Sequence, residues 1–154
     1  MKLRFVSAVA IALVSAASNA PAQFPVPDFN GDWHSPDRSA SPITIWQDAI
    51  QIKVTEHATS KIFRFDGSPT YYNADGTLAA VGSKPKTAPV RTTGKWIGDK
   101  LSLTVEVTEG DKPSTTVDVY SLSGDRKTLT RERTITLANG GSSPPTKVRS
   151  TYVK

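Results

Sequence analysis

The stretch KTLTRERTITL, residues 127–137, puts two arginines where a β-strand would bury them. The apolar residues Leu129, Ile135 and Leu137 occupy odd positions, and so do Arg131 and Arg133; Thr128, Thr130, Glu132, Thr134 and Thr136 take the even ones. Side chains alternate between the two faces of a strand, so a regular strand turns both guanidinium groups inward. Charge buried without a partner is very costly. Each arginine therefore needs a carboxylate, a water-filled space or an anionic ligand, and the guanidinium fork suits carboxylate or phosphate. The structural alternatives are a β-bulge near Arg131, an inward ladder at a wet rim, or stacking on Trp33.

Other chemistry finds few parts in this chain. There are two histidines, His34 and His57, and no cysteine. A zinc site needs three or four converging ligands, so neither a metal nor a cofactor is expected. No Gly-x-Ser-x-Gly elbow is present. Asp48, Asp66, Asp75, Asp99, Asp111 and Asp125 all fall at turn signals, where an aspartate bonds its own backbone. No catalytic residue is assigned, and the expectation is a non-catalytic protein. Trp33, Trp46 and Trp96 either line a pocket or plug the ends of a core. Tyr71 and Tyr72, beside Asn73, are expected on an exposed turn.

The elements that must position these residues are strands. Ile50, Ile52 and Val54 alternate with Gln51, Lys53 and Thr55, and Leu101, Leu103, Val105 and Val107 alternate with Ser102, Thr104, Glu106 and Thr108. WQDAIQI (46–52), WIGDKLSL (96–103) and LSGDRKTLT (122–130) each read as strand, Asp-containing turn, strand. Strands are expected near 29–34, 42–47, 50–56, 60–66, 70–73, 77–81, 89–97, 100–108, 115–122, 127–137 and 146–153, the two in the seventies being one broken strand or two. No stretch shows a helical period. About 8–10 antiparallel strands in chain order must hide their edges, and closure does this most completely. The expected fold is all-β, an antiparallel up-and-down β-barrel, with a two-sheet β-sandwich as the alternative.

Residues 1–22 read as a signal peptide: Lys2 and Arg4, an apolar run to Ala17, then Ala20-Pro21-Ala22 before cleavage at Gln23. The apolar run is short of the roughly 20 residues that span a bilayer, and no later segment approaches that length. Residues 23–154 then form one domain, periplasmic or secreted. The formal charge of +5 falls to about +3 once Lys2 and Arg4 are removed. The remaining basic residues are scattered, whereas nucleic-acid binding requires them clustered on a face.

FNGDW (29–33) carries a family likeness. Phe29, Gly31 and Trp33 share one strand face, and a glycine between two rings permits a sharp bend and close approach. This FxGxW opening resembles the calycin group, the lipocalins and intracellular fatty-acid-binding proteins. GKWIGDKLSL (94–103) is similar to a late hairpin of the latter, and RSTYVK to its final strand, where an Arg and a Tyr hold a ligand carboxylate. The layout also resembles small exported bacterial proteins of unassigned function. The resemblance implies a barrel; the family's ligand site is not carried over. Departures are clear: only SPDRSASP (35–42) stands where the fatty-acid-binding family inserts a helical lid, and Arg149 and Tyr152 lie three apart, hence on opposite faces.

Together these readings indicate an exported binding protein for a small apolar or amphiphilic ligand, with Arg131, Arg133, Trp33, Trp96 and Tyr152 as candidate contacts. The alternative is a protein-interaction module of the cell envelope, such as an exported inhibitor or accessory protein, using loops 82–89 and 139–146.

Overall fold

The computed structural model describes residues 26–86, 88–108, 113–138 and 144–154. The expected signal segment and its cleavage point lie outside them, as do Asp111 and parts of the loops at 82–89 and 139–146. Every described element is a strand: β1 (Gly31–Trp33), β2 (Ile43–Gln47), β3 (Gln51–Glu56), β4 (Thr59–Arg64), β5 (Thr70–Tyr72), β6 (Leu78–Val81), β7 (Val90–Ile97), β8 (Lys100–Val107), β9 (Ser114–Leu122), β10 (Thr128–Leu137) and β11 (Thr146–Val153). The stretch in the seventies is two strands, β5 and β6.

Turn chemistry sets the registers. The Asp48 carboxylate accepts from the amides of Ile50 and Gln51 at 2.8 and 2.9 Å, and Asp66, Asp75 and Asp125 accept from backbone amides two residues on. In the turn joining β7 to β8, Gly98 adopts φ +62°, a left-handed conformation that favours glycine.

All pairings are antiparallel, and they form two sheets. One is β1-β2-β3-β4; the other is β11-β10-β9-β8-β7-β5-β6. The expected all-β, antiparallel architecture is present as two sheets, neither of which closes on itself. The interruption has a local cause. β5 pairs with β7 along Thr70–Thr92, Tyr71–Arg91 and Tyr72–Val90, occupying the edge that β4 would need. Side chains replace the missing ladder: the Ile62 amide donates to the Tyr72 hydroxyl at 2.6 Å, and Thr92 Oγ1 donates to the Ile62 carbonyl at 2.6 Å. Tyr71 and Tyr72 are accordingly buried, contrary to their expected exposure. Gly94 lets the strands approach here, because a Cβ would lie 3.1 Å from Phe63 Cβ and 3.2 Å from the Arg64 carbonyl. At the opposite edges, β1 and β11 meet through one residue pair, His34 and Val153, with both backbone hydrogen bonds formed (2.8 and 2.9 Å).

Both sheets contribute to one core, including Trp33, Ile45, Ile52, Phe63, Leu101, Leu103, Leu129 and Tyr152. FNGDW enters it as its alternation requires. Phe29 and Trp33 are fully buried, Trp33 Nε1 donates to the Phe29 carbonyl at 2.9 Å, and Asp32 faces outward to accept from Thr44 Oγ1 at 2.6 Å. Gly31, at φ +137°, leaves space for the Lys154 side chain, whose Nζ stands 4.9 Å from the centroid of the Trp33 ring.

Candidate functional site

Along β10 the odd-numbered side chains run from the core outward. Leu129 is fully buried, Arg131 is 4% exposed, Arg133 is half-buried and Leu137 is exposed. Both guanidinium groups therefore point inward, and both meet carboxylates. Glu56 ends β3 on the same face as Ile52 and Val54. Asp118 sits directly opposite Arg133 in the β9–β10 ladder. Arg131 Nη1 donates to Glu56 Oε1 at 3.0 Å, and Arg133 Nη2 to Glu56 Oε2 at 3.1 Å. Arg133 also grips Asp118 with Nε and Nη2, each at 2.7 Å. Asp118–Arg133 lies within one sheet; Glu56 reaches from the other and joins the two.

The four side chains balance in charge. Burial opposes ionisation of Glu56, but the guanidinium groups of Arg131 and Arg133 outweigh it and hold its carboxyl below the ordinary 4.5. Arg133 is raised, chiefly by its hydrogen bonds to Asp118. Burial, reinforced by Asp118, pushes the Tyr120 phenol up. Arg131 also lies over the Tyr152 ring, 5.3 Å from its centroid, a cation–π contact that adds to the ion pair.

Beside this network a cleft of about 330 Å³ opens between the sheets. Val54, Phe63, Leu103 and Tyr120 line it with buried side chains, Glu56, Asp118 and Arg133 form a charged wall, and His57, Thr59 and Lys61 line it from more exposed positions. His57 belongs to the two-residue turn between β3 and β4. It has φ +50° and its neighbour Ala58 φ +61°, the geometry of a hairpin turn usually given to Asn-Gly. His57 Nε2 and Ser41 Oγ share a hydrogen bond of 2.6 Å, tying this turn to the segment between β1 and β2.

Of the five contacts expected from sequence, Arg133 alone lines this cleft. Arg131 and Tyr152 lie buried behind it; Arg131 Nε and the Tyr152 hydroxyl have no hydrogen-bond partner among the described residues. Trp33 is packed in the core. Trp96 packs between Phe29 (5.9 Å) and Phe65 (5.3 Å) with the rings tilted by 31° and 50°, beside a recess that includes Val26 and Gln47. Arg149 is exposed and Tyr152 buried, so they do face opposite ways. Among the described residues, no group of three or more His, Cys, Asp or Glu could hold a metal ion.

Glu56, Asp118 and Lys61 escaped the sequence reading, although the alternation that singled out Arg131 and Arg133 also marks them. Glu56 continues Ile52 and Val54, Asp118 precedes Tyr120 by two, and Lys61 precedes Phe63 by two. No family model matches the chain, and no curated protein matches it significantly.

Proposed function

We propose that this is an exported, non-catalytic binding protein that takes a small amphiphile into the cleft between its sheets. The cleft itself carries the reading: its volume of about 330 Å³ lies at the lower end of ligand pockets, and it joins apolar walls to a few convergent polar groups, as such sites do. The strand order, with β1 bridged to β11 and only the β5–β6 hairpin intervening between β4 and β7, supports an interrupted calycin-type barrel. Arg131 and Arg133 shape the charged wall; their commitment to Glu56 and Asp118 favours a small occupant over a long fatty acid clamped by two free guanidinium groups.

The test is native mass spectrometry of the protein purified after export, followed by organic extraction. A bound small molecule is expected, and Thr116→Trp, which fills the cleft from β9, is expected to remove it. An apo mass that also ignores a panel of added lipids and organic acids would sink the proposal. A second reading, a protein-interaction module, is favoured by the end opposite the cleft. There Val26, Ile50 and Ile97 are 59%, 55% and 52% exposed, near the tilted Phe65–Trp96 pair. A pull-down lost on Ile50→Ser plus Ile97→Ser would support that reading.

A further inference from the structure

We infer that the occupant of the cleft is a monoanion whose charged group is met by Lys61, an inference that rests on the binding reading above. The two arginines are poor candidates for that contact. Among the described residues both are hydrogen-bonded to carboxylates, Arg131 to Glu56 and Arg133 to Glu56 and Asp118, so an anion placed against them would also face two carboxylates. Lys61 stands differently. It shares a face of β4 with Phe63, lines the cleft, and has no carboxylate partner among the described residues. Counting the cleft and the network together, Arg131, Arg133 and Lys61 stand against Glu56 and Asp118, a surplus of one positive charge. A single negative charge on the ligand balances the interior; a dianion overshoots it, and a cation adds to it.

Lys61 also has the right placement for an amphiphile. Lys61 lines the cleft from a partly exposed position, while Val54, Phe63 and Leu103 line it from buried ones. The apolar body of the ligand would lie against these side chains, with its carboxylate or sulfonate directed back toward solvent. This keeps the anion hydrated on one side and avoids the cost of full desolvation. His57, held by Ser41, is the second nitrogen-bearing group on this side of the cleft.

The experiment compares two fluorescent probes with the same ring system, 1-anilinonaphthalene-8-sulfonate and the uncharged N-phenyl-1-naphthylamine. Both are titrated into the exported wild-type protein, Lys61→Met and Thr116→Trp, with circular dichroism confirming the fold of each variant. The sulfonate is expected to bind wild type about three- to tenfold tighter than the neutral probe, the scale of one partly exposed charge contact. Lys61→Met should erase that preference, weakening the sulfonate relative to the neutral probe, and Thr116→Trp should abolish both. If wild type binds both probes equally, or Lys61→Met leaves the sulfonate unaffected, the monoanion inference falls and the cleft reading survives. If neither probe binds wild type, or Thr116→Trp changes nothing, the cleft reading itself falls.

Discussion

Glu56→Gln should be among the most damaging conservative substitutions in this protein, and its cost can be worked from the surroundings. The Arg131 side chain is 5% exposed, and Glu56 is its carboxylate partner among the described residues. Glutamine retains an acceptor for one hydrogen bond but removes the charge, leaving a buried guanidinium uncompensated. Breaking a buried pair from one side costs about 3–5 kcal/mol. The Glu56 side chain is itself 21% exposed, so water offsets part of this, and about 2–3 kcal/mol is expected. Asp118→Asn should cost less, about 1–2 kcal/mol, because Arg133 keeps Glu56 and is 27% exposed. The assay is urea unfolding at neutral pH, reading a fall in midpoint at unchanged slope; in a thermal scan the Glu56→Gln loss corresponds to about 10 °C. A double-mutant cycle with Arg131→Met should return a coupling of about 2 kcal/mol. A cost for Glu56→Gln below about 1 kcal/mol, or no coupling, would mean that the network is hydrated and that it does not bind the sheets together.

The same carboxylate sets a pH dependence. Its folded pKa lies below the ordinary 4.5, so its contribution is complete above that value and is lost as pH falls through the folded one. Turn aspartates Asp66, Asp75 and Asp125, lowered by hydrogen bonds from Arg64, Thr77 and Ser123 respectively, act in the same direction. The decisive quantity is therefore the difference between wild type and Glu56→Gln, which should shrink as the pH falls below the ordinary 4.5; a constant difference would contradict the assignment. Tyr72→Phe strips the Ile62 amide of its acceptor at a part-buried seam and should cost about 1–3 kcal/mol in the same unfolding assay. Gly94→Ala must push β4 from β7, since its Cβ would meet backbone at 3.2 Å; about 1–3 kcal/mol is expected, with faster hydrogen exchange at Ile62 than in wild type.

Much of this architecture was legible because alternation is a local property. Each expected strand is present, and the odd positions of β10 correctly pointed two arginines at the core. The same counting, carried two residues past Val54 and two residues back from Tyr120 and Phe63, would have reached Glu56, Asp118 and Lys61. What could not be read was which strand edge pairs with which. β5 captures the edge of β7 through residues far apart in sequence, and the burial of Tyr71 and Tyr72 follows from that capture rather than from anything in their own segment, which reads as a polar turn. Trp33 and Trp96 likewise look alike as residues, yet one is packed in the core and the other lines an open recess.

The meeting of β1 and β11 has a consequence for how the molecule forms. Within each sheet nearly every ladder joins strands adjacent in sequence, so the hairpins need only short loop closures and can assemble early. Bringing His34 to Val153 requires almost the whole chain to be in place, and Glu56 meets Arg131 and Arg133 across 75 and 77 residues. Folding is thus expected to combine fast local zipping of hairpins with a slower docking that waits for the C-terminal strand. A chain shortened by its last strand should retain the hairpins of β2 to β4 yet fail in that second step, exposing to solvent the apolar faces that the two sheets bury together.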